Sequence, residues 1–141
     1  MATSDPLIFL PLLVQVLLTV IVYVGLAVAK ARALKHGQVD PVRRALHADA
    51  WPESVQKINN NIRNQFEVPV LFYALVLMLY ELGETGVLTQ GLAWLFVASR
   101  IVHAYVHTGA NIVRIRRPVF MLGCIVVLAM LVLAAVAVLN G

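Results

Sequence analysis

Two stretches of this chain, Leu7–Ala29 and Pro118–Leu139, run without a charged residue. A bilayer core of ~30 Å is crossed by a helix of about 20 apolar residues, and in lipid each backbone N–H and C=O must find its partner within the protein. Both stretches meet that length, so they dictate a helical membrane protein. Composition agrees: 61% of the 141 residues are hydrophobic and 13% charged, more apolar surface than a soluble domain of this size can bury. Two further apolar runs, Val68–Tyr80 and Gly86–Ser99, are short alone but continue into helix-compatible sequence, Ala50–Glu67 before the first and Arg100–Ile115 after the second. The chain therefore reads as one all-α membrane domain, 1–141, a bundle of four spanning helices at about 7–35, 52–82, 87–113 and 117–139.

Charge placement sets the expected orientation. Ten of the eleven Lys and Arg residues lie between Lys30 and Arg63 or between Arg114 and Arg117, and the other, Arg100, lies inside the third span. The N-terminus and the turn Glu81–Gly86 carry Asp5, Glu81 and Glu84 but no base. The positive-inside rule then places both termini outside and the basic loops in the cytoplasm. In a bacterium this means a multi-pass protein of the inner membrane. The sequence pI of about 9.6 follows from this topology and argues for no nucleic-acid partner. The start MATSDPLIFL lacks the basic segment of a secretory signal, and lone Cys124 permits no internal disulfide. A small apolar filler is its default reading, a reactive thiol the alternative.

Local signals fill in the connections. Gly37 follows the first span as a C-terminal cap, with Lys30, Arg32 and Lys35 reaching the headgroups. Asp40-Pro41 has the chemistry to start a short interfacial helix over VRRALHADA. Trp51 belongs at the membrane interface and Pro52 starts the second span. LGETG is a tight turn, and Pro118 suits the first turn of the fourth span. The first and fourth spans read as lipid-facing walls.

The second and third spans are different, because each carries polar side chains through half its length. At 100° per residue Asn60, Arg63, Asn64 and Glu67 share one face of the second. Arg100, His103, His107, Asn111 and Arg114 share a stripe of the third, with Tyr105 pointing away. Glu67 lies ten residues beyond Lys57, roughly 15 Å along a helix, and His103 reaches a similar depth from Arg114. Each charge at mid-membrane costs ~2.5–3.5 kcal/mol, so Arg63, Glu67 and Arg100 are expected to face protein or water, with Glu67 paired to Arg63 or Arg100. One reading is polar glue between helices. The other is a half-membrane cavity open to the cytoplasm that takes a hydrophilic ligand, which better explains so many polar groups.

Single motifs narrow the chemistry. His103 and His107 stand at ligand spacing, but an Arg neighbours them and no third His or Cys does, so no metal is expected. The run Arg114-Ile115-Arg116-Arg117-Pro118 anchors the membrane or binds an anion, since guanidiniums at a helix start stabilise carboxylates and thiolates. No serine–histidine–acid set, phosphate-binding glycine loop or carboxylate pair is present.

Arg63-Asn64-x-x-Glu67 followed by Pro69, Arg100-x-x-His103, and Arg116 sixteen positions after Arg100 together resemble the MAPEG family, the membrane-associated proteins of eicosanoid and glutathione metabolism. The resemblance spans nearly the whole chain and implies a homotrimer of four-helix protomers. It implies glutathione as co-substrate, held by Arg63, Asn64, Glu67 and His103, with Arg32 a weaker match. Arg100, His107 and Arg114 complete the candidate glutathione-binding set, and Arg116 is the catalytic candidate, stabilising the thiolate electrostatically. The chain departs from the family at Asn60, where glutathione-using members tend to have Arg, and at His107, where many have Tyr. Three functions follow: a glutathione-dependent transferase or peroxidase acting on lipophilic electrophiles, a non-catalytic lipid-binding or structural protein on the same scaffold, and a small multidrug exporter. The exporter ranks last because such proteins depend on an embedded Glu in the first span, which here holds no acid.

Overall fold

The computed structural model describes residues 4–140. It is all-helical, with α1 Phe9–Lys35, α2 Glu53–Gln65, α3 Val68–Glu81, α4 Val87–Thr108 and α5 Val113–Asn140, and 3-10 turns at Pro6–Ile8 and Ala48–Ala50. Four spans are long and apolar enough to cross a membrane: Pro6–Lys35, Glu53–Glu81, Val87–Thr108 and Val113–Asn140. This is the four-span bundle expected from the sequence.

Helix ends follow from particular residues. Asp5 Oδ1 accepts from Leu7 N–H at 2.9 Å, and Pro6 opens the 3-10 turn leading into α1. Helix α1 ends as expected at Gly37 (φ 63°), whose N–H donates to Leu34 C=O while Gln38 N–H donates to Ala33 C=O. Gly83 (φ 76°) ends α3 the same way, with bonds to Tyr80 and Leu79. Both are Schellman caps, in which glycine adopts the left-handed conformation that a Cβ would oppose.

Three expectations are corrected. The second span is not one helix, because it breaks at Phe66–Glu67. Pro69 has no N–H to return to Gln65 C=O, and its ring would clash with that carbonyl. The third span stops at Thr108 and the fourth begins at Val113, so Asn111 sits in the turn, Arg114 belongs to α5, and Pro118 lies inside α5. Residues 42–50 form turns and a 3-10 turn in place of an interfacial helix. Here Asp40 Oδ1 accepts from Val42 and Arg43 N–H, and Arg43 bonds Asp49 at 2.7 Å, which folds the segment back on itself.

The bundle divides into two halves. In one half Ile8, Phe72, Leu75, Val76, Leu79, Phe96, Val97, Val126 and Met130 form a dry core, with Phe72 and Phe96 stacked at 4.3 Å between centroids. At that end Asp5 N–H donates to Thr85 Oγ1 at 2.8 Å and Gln90 Nε2 to Asp5 Oδ2 at 2.9 Å, tying the N-terminus to the α3–α4 turn. Helices α4 and α5 come close at Gly123, where a Cβ would stand 3.2 Å from Ser99 Oγ. Towards the other, basic end the interior turns polar. Gln15, fully buried on α1, donates to Gln65 Oε1 at 2.8 Å, and Gln65 Nε2 donates to Asn61 Oδ1 at 3.0 Å. So α1 is not only a lipid-facing wall.

Interhelical polar contacts in membranes contribute about 0.6 kcal/mol on average and up to ~1.7, and a partner left buried and unbonded adds to the loss on mutation. Gln65→Leu is expected to cost about 1–2 kcal/mol. The double variant with Gln15→Leu should cost less than the sum of the singles, since both remove one bond. Thermal unfolding in detergent measures this; strictly additive losses would show that the amides do not act together.

Candidate functional site at the basic end of the bundle

Asn64 is in the last turn of α2, where helix carbonyls have no partner of their own. Arg100 of α4 takes that acceptor: its Nη2 donates to Asn64 C=O at 2.8 Å. Arg100 is 1% exposed, and its Nε and Nη1 have no partner among the described residues. Its guanidinium lies 5.6 Å from the Phe120 ring, a cation–π contact that offsets part of the lost hydration. The break caused by Pro69 and the buried arginine are thus one feature.

The Asn64 side chain organises the two histidines. Its Nδ2 stands 3.4 Å from His103 Nε2 and 3.2 Å from His107 Nδ1. His103 Nδ1 lies 3.3 Å from Arg116 C=O. A carbonyl only accepts, so His103 carries its proton on Nδ1 and its Nε2 is free to accept from Asn64. Asn61 Nδ2 is also 3.4 Å from His107 Nδ1, so that nitrogen is the acceptor and His107 is protonated on Nε2. The rings meet edge to face at 5.4 Å. A continuous polar chain therefore runs from Gln15 through Gln65, Asn61, His107, Asn64 and His103 to the start of α5.

The turn between α4 and α5 positions Arg116. Asn111 has φ 53°, a left-handed conformation that its short amide tolerates. Its backbone N–H donates to Val106 C=O at 2.7 Å, and its Oδ1 accepts from Arg116 Nη1 at 2.5 Å. Beside this pair a cavity of about 250 Å³ is lined by Asn64, His103, Val113, Arg116, Arg117 and Phe120. It offers two guanidiniums, a carboxamide and an imidazole next to an aromatic face, and no acid lines it among the described residues.

Asn64, His103 and Arg116 line this cavity, with Arg100 and His107 buried behind it. Arg32, Arg63, Glu67 and Arg114 do not line it; all four are exposed. The expected pairing of Glu67 with an arginine is corrected: the ion pairs among the described residues are Arg43–Asp49 and Glu53–Lys57. The inward face of α2 is also corrected. It is Val55, Asn61, Ile62 and Gln65 that are buried, while Asn60, Arg63 and Glu67 turn outward. Asn61, Gln65, Gln15 and Phe120 were missed from the sequence. The apolar positions Val55, Ile58 and Ile62 mark the buried face, and Asn61 and Gln65 fall on it.

These features define a four-span helical membrane protein with a cationic cavity between its second, third and fourth spans. A model of the MAPEG family matches residues 8–136, and the chain belongs to that family. The family includes glutathione-dependent transferases and peroxidases as well as non-catalytic members. No curated protein and no solved structure matches the chain.

Asn111→Gly keeps the left-handed turn at no steric cost, whereas Asn111→Ala must hold it against its Cβ, about 1–2 kcal/mol. The alanine variant is expected to melt below the glycine variant in detergent. Equal melting temperatures would show that the turn relaxes instead.

Proposed function

We propose that this protein is a glutathione-dependent transferase or peroxidase that presents the thiolate to lipophilic electrophiles arriving from the bilayer. The observation that carries this reading is the cavity shared by Asn64, His103, Arg116 and Arg117. Glutathione has two carboxylates, an ammonium and a thiol. The cavity supplies guanidiniums for anions but nothing for the ammonium. Glu67, exposed at the break between α2 and α3, would meet that need from a neighbouring copy, and Arg63, outward on α2, would add a guanidinium for the carboxylates. The reading therefore includes a homotrimer in which a site forms between protomers, with Arg32, Arg63 and Glu67 contributed across the interface. Arg116, held by Asn111, is the catalytic residue of this proposal. Its fixed charge lowers the thiol's pKa by favouring the anion, and takes no proton itself. Both termini lie outside, and the cavity opens to the cytoplasm.

Calorimetry on the detergent-purified protein is the direct test. Absence of heat at millimolar glutathione, with the trimer intact by mass, would end the reading. With a hydrophobic aryl halide as second substrate, Arg116→Ala is expected to lower kcat on the order of 100-fold with little change in glutathione affinity. Arg63→Ala should weaken glutathione binding in the same calorimetry, because it removes a guanidinium that this reading places on the ligand.

A second reading, a non-catalytic lipid-binding protein, draws on an apolar groove of about 440 Å³ between α4 and α5, lined by Leu88, Leu92, Ile125, Leu128, Val132 and Leu133. A lipid retained in native mass spectrometry, with no glutathione binding, favours it.

A further inference from the structure

A second cavity, of about 200 Å³, lies at the basic end under residues 44–48, and shares no residue with the first. Lys30, Arg44, His47, Trp51, Asn59 and Asn60 are among its lining. It is built by the chain folding back on itself. Asp40 N–H donates to Ala50 C=O at 3.1 Å and closes the base of the loop. Trp51 Nε1 donates to Arg44 C=O at 3.2 Å, which fixes the indole, and Gln56 Nε2 donates to the Trp51 backbone C=O at 2.8 Å, which fixes its main chain. Lys30, from the last turns of α1, sits 5.0 Å above that ring.

Charge pairing around the cavity is uneven. Asp49 is taken by Arg43, whose hydrogen bond holds its carboxyl below the ordinary aspartate value. Glu53 is taken by Lys57, and Asp40 by the amides of Val42 and Arg43. No carboxylate is within ion-pairing reach of Lys30, Arg44 or His47 among the described residues. The cavity therefore places two cations without an ionic partner among the described residues, Lys30 and Arg44, beside the donor amides of Asn59 and Asn60. It stands where a membrane span ends and an indole is held, which is the headgroup level. Basic pockets at that level bind the phosphates of anionic lipids.

We propose that this cavity is a binding site for a phosphate ester. Its place at the end of a span favours an anionic phospholipid headgroup as the source over a soluble phosphate.

The test uses the full-length protein in nanodiscs containing equal phosphatidylglycerol and phosphatidylcholine, followed by native mass spectrometry of the released protein. Wild type is expected to retain phosphatidylglycerol in preference. Arg44→Gln should cut that preference roughly tenfold, the loss of one charge-assisted hydrogen bond to a phosphate. Lys35→Gln, at the same end of α1 but outside the cavity, should leave it unchanged. His47→Gln, also at an exposed position, repeats the test should Arg44→Gln fail to fold. In a second arm, inorganic phosphate is titrated into detergent-purified protein. Heat that Arg44→Gln abolishes assigns a soluble phosphate as ligand, and lipid preference without such heat assigns the headgroup. Equal retention of both lipids with no phosphate heat would overturn the proposal. So would equal loss of preference in Arg44→Gln and Lys35→Gln, since that reports surface charge and no site.

Discussion

The bond from Arg100 to the Asn64 carbonyl fixes the geometry of the basic half. A guanidinium at 1% exposure within a membrane span would cost several kcal/mol if it found only lipid. An intact helix could not help it, because each interior carbonyl is already bonded along the axis. Pro69 ends α2 and leaves carbonyls of its last turn free, and Arg100 takes the one at Asn64. The same step turns the Asn64 side chain towards His103 and His107. A backbone defect in one span and a charge in another thus stabilise each other, and the cavity forms around their junction.

The bundle can afford that wet half because the other half is dry and tied. Phe72, Phe96 and Met130 are fully buried there, and Asp5, Thr85 and Gln90 bind the helix ends together. The dry half holds the helix axes in place. Gln15 Oε1 and two nitrogens of Arg100 still lack partners among the described residues.

Much of the fold was legible because lipid imposes strong rules. Uncharged runs mark the first and fourth spans, and Gly37 marks a helix end because it lacks the Cβ that opposes a left-handed turn. What could not be read were departures from regular helix. Pro69 sits one residue inside α3, where proline is equally at home in a new helix and in a kinked one. The polar stripe of the third span was extended to Asn111 and Arg114 because their spacing suits a helix, yet Asn111 turns left-handed and restarts the chain. Arg100, His103 and His107, placed before that turn, were read on a face that is buried. On α2 the cost of a charge in lipid predicts that the charged face turns inward, although the amides Asn61 and Gln65 are the buried groups. Spacing identifies which residues share a face but not which way that face turns, and a charge can be sheltered by a neighbouring copy as well as by its own protomer.

That last point bears on assembly. Arg63 and Glu67 are exposed on a span whose next turns, Val68 to Val76, are apolar. At mid-membrane depth each would cost ~2.5–3.5 kcal/mol against lipid, and among the described residues neither has an ionic partner. Bringing copies together removes this cost only if the outward face of α2 meets polar groups of a neighbour. Such an interface would be held by ligand-type contacts, because apolar side chains gain little from leaving lipid for one another. A molecule carrying both carboxylates and an ammonium, lodged at that junction, would satisfy Arg63 and Glu67 together with Arg116. Ligand binding and subunit association would then draw on the same side chains and strengthen each other, as linkage requires.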